Sequence, residues 1–221
     1  MKTSDKLKSL ALNLVLAAAL AGLTGCVSKS FDKGAATASA LKTSADSVAQ
    51  TSQSLYDVLG AMNNLTFKSQ GDLRNQYDAF VDATKSLDKS MAKLDDSVVA
   101  LHSKADAYFN DWTNQTAAIQ NPELRQRSAD RKAEVAGKLN EVTTSYDGLK
   151  SSLKPFTTDL KDIETYLGTD LTAGGLATIK DVVAKTKVDA VPLRDAIKQL
   201  QSSFSDLSTA LSPVLPTPET K

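Results

Sequence analysis

The fold expected of this chain is all-α: an elongated antiparallel helical hairpin, coiled-coil-like, packed with additional helices into a helical bundle. Three observations lead there. Apolar positions recur in alternating steps of three and four along four segments. Most helix breakers fall between those segments. The 221 residues are 41% apolar but only 5% aromatic, with 10 glycines and 6 prolines, a poor supply of turn residues for a β-sandwich.

The first element, residues 1–25, reads as a targeting segment. Lys2, Lys6 and Lys8 form a basic start, and an uncharged stretch rich in Leu and Ala follows, the layout of a secretory signal. Leu23-Thr24-Gly25-Cys26 resembles the lipobox of bacterial lipoproteins, in which a small residue precedes a cysteine that is acylated and becomes the N-terminus. The resemblance implies cleavage after Leu23, Thr24 and Gly25, lipidation of Cys26, and a stable anchor without a transmembrane helix, since each buried methylene adds roughly 0.8 kcal/mol. Val27 stands where an inner-membrane retention signal commonly has Asp. The resemblance therefore implies lipid anchoring in the outer membrane, with the body facing the periplasm.

Residues 26–36 show no periodicity and are expected to be a lipidated tether. The bundle is expected over 37–211. Its first segment carries the seam Leu41, Ala45, Val48, Ser52, Leu55, Leu59 and Met62, and Asn63-Asn64 opens a break that runs to Gly71. Asp72 can cap the second segment, whose seam runs from Leu73, Tyr77, Phe80 and Thr84 to Tyr108 and Trp112. Asn121-Pro122 is a start signal for the third, with its seam from Ser128 and Lys132 through Tyr146 and Phe156 to Leu167. Pro155 lies inside this segment, and because the apolar phase passes through it unchanged, a kink is expected, not a break. Gly168 closes the segment. Gly174-Gly175 interrupts a short helix at about 176–185, and Pro192 opens a last one carrying Leu193, Ile197, Leu200, Phe204, Leu207 and Leu211. The three prolines after Ser212 make 212–221 a disordered tail.

Segments two and three, each roughly 70 Å long at 1.5 Å per residue, must fold back on each other at the short turn between them. With the centre at Gln120, Leu87 faces Leu153, Thr84 faces Phe156, Leu94 faces Tyr146, and Trp112 faces Ser128. The seam aromatics Tyr77, Phe80, Tyr146, Phe156 and Phe204 are expected in the core. Ser52, Thr84 and Lys132 interrupt the seams and are candidates for fixing register.

Tyr108-Phe109-x-x-Trp112, Asn121-Pro122-Glu123-Leu124-Arg125-x-Arg127-Ser128, Tyr146-Asp147-x-Leu149, Lys154-Pro155 and Asp162-x-x-x-Tyr166-Leu167 together resemble the bacterial family called domain of unknown function 2959. The resemblance covers about 71–211. It implies a helical fold and an envelope location, and it carries over no site.

Chemistry is sparse. The chain has 26 basic and 26 acidic residues, so no overall field steers it to nucleic acid. One cysteine and one histidine rule out a disulfide framework, a zinc cluster of the usual kind and a Cys-His nucleophile. His102 belongs at the rim of the seam, and carboxylates such as Asp95-Asp96, Asp159 and Asp162 fall off the seams as solvated faces. No Gly-x-Ser-x-Gly elbow, phosphate loop or Glu-x-x-His pair is present, so no enzyme, no cofactor and no metal are expected.

One cluster stands out. Tyr108, Phe109 and Trp112 end segment two, and Arg125, Arg127, Arg131 and Lys132 open segment three, so the hairpin gathers them at one tip. They read as a frayed helix end with cations stacked on aromatics, as a contact surface for anionic headgroups or an acidic partner, or as a contact between copies of the chain. The function expected is a non-catalytic, lipid-anchored scaffold or interaction module with a protein partner in the envelope. The alternative is a binding module for an apolar or amphiphilic ligand held between helices at Thr84, Phe156 and the Pro155 kink. A monomer is expected, since one chain supplies four or five helices, with a homo-oligomer as the alternative.

Overall fold

The computed structural model describes residues 29–67 and 72–212, and among these there is helix and no strand. Five helices follow in order: α1 (Lys29–Phe67), α2 (Leu73–Ala117), α3 (Pro122–Thr169), the single-turn α4 (Ala173–Thr178) and α5 (Lys180–Leu211). The four long helices stand as the corners of a box in the order α1, α2, α3, α5, each antiparallel to the next. This is an up-down-up-down bundle. The ends of α2 and α3 are set by side chains: Asp72 accepts from the Arg74 N–H at 2.8 Å, and Asn121 accepts from the Leu124 N–H at 3.0 Å, with Pro122 in the first turn.

The expected hairpin is present in the expected register. Trp112 Nε1 donates to Ser128 Oγ at 2.9 Å, Tyr146 OH to Asp95, and Tyr77 OH to the Glu164 carbonyl at 3.0 Å, which ties α2 to α3 along its whole length. α3 runs unbroken through Pro155. The core is continuous from Leu41 at one end to Leu176 and Ile179 at the other, and contains the expected aromatics Phe80, Tyr146, Phe156 and Phe204. Tyr77 is half-buried and packs against that core.

The closest approaches lie elsewhere. The box has two narrow sides, α1 against α2 and α3 against α5, and two wider ones, α2 against α3 and α5 against α1. Small residues cause the narrow sides. Ser44 Oγ donates to the Ser97 carbonyl at 3.0 Å, and one heptad further along Thr51 Oγ1 donates to the Ser90 carbonyl at 3.3 Å. Ser90 and Ser97 return their own hydroxyls to Leu87 and Leu94 carbonyls at 2.8 Å, so these buried groups are satisfied. On the other narrow side Ser145 Oγ and Ser203 Oγ lie 2.8 Å apart.

Five expectations are corrected. The inner stripe of α1 is Thr37, Leu41, Ser44, Val48, Thr51, Leu55, Val58, Met62 and Leu65, all buried, whereas Ala45 and Ser52 sit at its edge. The helix turns its hydroxyls inward because α2 offers serines at the same level. Asn63-Asn64 does not end α1: an Asn costs a helix roughly half a kcal/mol, less than the roughly 2 kcal/mol from burying Leu65 one turn later, and Leu65 is 1% exposed. Much of the stretch read as a tether is helix, since α1 begins at Lys29. Pro192 does not open a helix; it stands inside α5. The stripe Val183, Thr186, Ala190, Leu193, Ile197 passes through it without a change of phase, and its packing outweighs the one lost backbone hydrogen bond.

Gly174-Gly175 does not interrupt a helix at about 176–185: both glycines lie within α4, which ends at Thr178, and residues 180–185 are the start of the long α5. There a Cβ on Gly175 would stand 2.1 Å from the Asp170 carbonyl oxygen, so only glycine lets the chain fold this tightly from α3 into α5.

Candidate interaction surfaces

The two ends of the bundle differ. At one end, the turn end, meet the start of α1, the end of α2, the start of α3 and the end of α5. Lys33 pairs with Asp111 at 3.1 Å, a Cβ on Gly34 would lie 3.2 Å from the Tyr108 ring, and Arg131 Nη2 donates to the Ala210 carbonyl at 2.6 Å. At the other, the α4 end, Lys187 Nζ donates to Asn63 Oδ1 at 3.0 Å. The lipobox residues Leu23, Thr24, Gly25 and Cys26, and the tail from Pro213 onward, lie outside the described residues.

The expected basic and aromatic residues are all at the turn end, but in two layers. Tyr108, Phe109 and Trp112 form an inner, half-buried group, with the Tyr108 ring 5.3 Å from Trp112 and 5.8 Å from Phe109. Burial raises the Tyr108 pKa, with Arg131 pulling the other way. Trp112 and Thr116 both bond Ser128 Oγ, at 2.9 and 2.7 Å, and Lys132 Nζ reaches Thr113 Oγ1 at 2.7 Å. Arg127 turns back to Glu123 and Arg131 to Glu134, each at 2.6 Å. Arg125 points outward and has no ion pair among the described residues. Cations stack on rings elsewhere: Lys150 over Tyr146 at 4.4 Å, Lys187 over Phe67 at 4.2 Å and Arg194 over Tyr56 at 5.4 Å.

Other polar groups have structural partners. His102 Nε2 lies 3.2 Å from Thr143 Oγ1 across the α2–α3 side. Asp95, read as a solvated carboxylate, receives the Tyr146 hydroxyl, and burial together with this bond holds the Tyr146 pKa well above the ordinary range. Thr84 bonds the Phe80 carbonyl at 3.0 Å and Phe156 is 0% exposed, so the space between them is filled. No group of three or more potential metal ligands occurs among the described residues.

Two surfaces were not read from the sequence. A shallow open groove of about 530 Å³ runs along the outside of the α1–α2 pair near the α4 end, between Tyr56, Asn64, Asn75 and Ala83. On the α1–α5 flank of the same half, Tyr56, Phe67, Val188 and Val191 are exposed at 53%, 54%, 67% and 51%. The signal was available: Val188 and Val191 lie off the Val183-Thr186-Ala190 stripe. Among the described residues, no helix is long and apolar enough to cross a membrane.

Residues 30–212 match a family described as "Protein of unknown function (DUF2959)". No curated protein and no solved structure matches the chain.

Proposed function

We propose that this chain, which belongs to the DUF2959 family, is a non-catalytic interaction module of the bacterial envelope, held by a lipid on Cys26 in the outer membrane and reaching into the periplasm. The observation that carries this reading is a group of exposed apolar side chains in the α4 half, far from the end where α1 begins: Tyr56 and Phe67 of α1, over whose rings Arg194 and Lys187 of α5 lie, and Val188 and Val191 on the same stretch of α5. Lipid on Cys26 would tether the bundle by the start of α1, and this flank, which reaches Tyr56 and Phe67 in the last third of α1, would then stand roughly 40–57 Å from that end at 1.5 Å per residue. Exposed aromatic and branched residues of this kind are what protein partners bury.

The anchor is tested by the mass of the N-terminal peptide from purified membranes. Diacyl-thioether and amide-linked acyl groups on Cys26 are expected, and Cys26→Ala should release the body into the soluble fraction. A photo-crosslinking residue at position 188 in intact cells should give a discrete protein adduct that disappears when Val191→Asp is added. The same residue at Lys104, exposed near the turn end, should not give it. Absence of any adduct from position 188 would overturn the partner reading.

A further inference from the structure

The geometry points to the turn between α2 and α3 as a foot that rests on the bilayer: we propose that Leu124 and Phe31 enter the lipid interface while Arg125 meets lipid phosphates. The inference rests on the anchoring reading above. Cys26 precedes the first described helical residue, Lys29, by three residues, a reach of at most about 10 Å fully extended. Lys33, one turn into α1, already pairs with Asp111 near the end of α2, and a Cβ on the neighbouring Gly34 would meet the Tyr108 ring. A lipid on Cys26 therefore holds the α2–α3 turn at the membrane, not out at the far tip of the molecule.

What this end presents suits an interface. Leu124, in the first turn of α3, is 56% exposed and Phe31, in the first turn of α1, is 57% exposed. Among the described residues at this end, Lys33, Arg127 and Arg131 are each paired with a carboxylate and Lys132 is turned to the Thr113 hydroxyl, which leaves Arg125 as the outward cation. With most of these cations already held by partners, the foot is suited to the polar zone of zwitterionic lipid and does not depend on an anionic surface. Apolar burial and one phosphate contact carry the attachment, and salt should loosen it little.

The experiment uses the full-length lipoprotein in phosphatidylethanolamine/phosphatidylglycerol vesicles. Once Cys26 is acylated, a cysteine introduced by Leu124→Cys or by Lys180→Cys, at the α4 end, is the single free thiol for an environment-sensitive fluorophore. Both positions are exposed, so neither change disturbs the core. At position 124 the emission should shift to shorter wavelength and be quenched several-fold more strongly by nitroxide lipids than at 180, equally in high salt and without phosphatidylglycerol. An aqueous spectrum at 124 in vesicles carrying acylated protein overturns the foot and leaves the anchor intact. Quenching at 180 in place of 124 overturns it too. Unacylated Cys26 by mass removes the anchoring reading, and the foot with it.

Discussion

The narrow α1–α2 side allows a sharp test, because two general expectations conflict there. Ser97 occupies an inward position of α2 and is 8% exposed; Ser44 opposite is 0% exposed. Coiled-coil reasoning holds that a buried serine replaced by leucine should stabilise, by up to roughly 2 kcal/mol if the side chain finds room. The geometry denies it room. The Ser97 carbonyl is 3.0 Å from Ser44 Oγ, so the helices stand one hydroxyl apart, and the adjoining Val48, Leu94 and Leu101 are already fully packed. Ser97→Leu must spread the pair or leave its rotamer well, at about 2 kcal/mol. For a body of this size that lowers the melting temperature by about 4–8 °C. Ser44→Ala removes a donor whose acceptor stays within a helix and whose hydroxyl is shared with Ala40, so about 0.5 kcal/mol is expected, or about 1–2 °C. Thermal unfolding followed by circular dichroism distinguishes the cases. An unchanged or raised melting temperature for Ser97→Leu would refute the claim that small hydroxyls set the helix spacing.

Two further outcomes follow from the same structure. Pro192→Ala should restore a hydrogen bond to the Val188 carbonyl within α5; set against the flexibility gained by the unfolded chain, the net gain is about 2 kcal/mol, read as a higher melting temperature, and a fall would show that Pro192 has a packing role. Tyr146 has a folded-state pKa above that of a free tyrosine, so the unfolded chain gives up this proton first. Its contribution is then complete below pH about 10 and is lost above it, and Tyr146→Phe should flatten the decline in melting temperature between pH 9 and 11. An undiminished decline would place the alkaline sensitivity at the other groups with raised pKa values: Tyr77 and Tyr108, raised by burial, or Lys138 and Lys185, raised by their carboxylate partners.

The parts of the fold legible in sequence were those set by large apolar residues and by one turn. Asn121-Pro122 located the α2–α3 reversal, and with the leucine phase it was enough to place Trp112 against Ser128. Serine and threonine hid the rest. Scoring hydrophobicity alone moves the α1 stripe from Ser44 and Thr51 to Ala45 and Ser52, because a hydroxyl that bonds a carbonyl across a narrow interface does not look like a core residue. Asn63-Asn64 and Pro192 were read by local propensity, which tertiary packing overrode. At the turn end the residues were correctly gathered, but the pairing of Arg127 with Glu123 and of Arg131 with Glu134 depends on rotamers that spacing alone leaves open. The flank of Tyr56, Phe67, Val188 and Val191 needed three dimensions, since α1 and α5 are the first and last helices of the chain.

An even number of long antiparallel helices returns the chain to the side where it entered. On the proposed anchoring through Cys26, a fluorescent protein or affinity tag joined after Leu211 would thus crowd the bilayer and report on the space beneath the bundle. A graft meant to sample the opposite pole belongs between Phe67 and Asp72, where α1 hands over to α2. Choosing between those two sites decides which surroundings such a reporter can see.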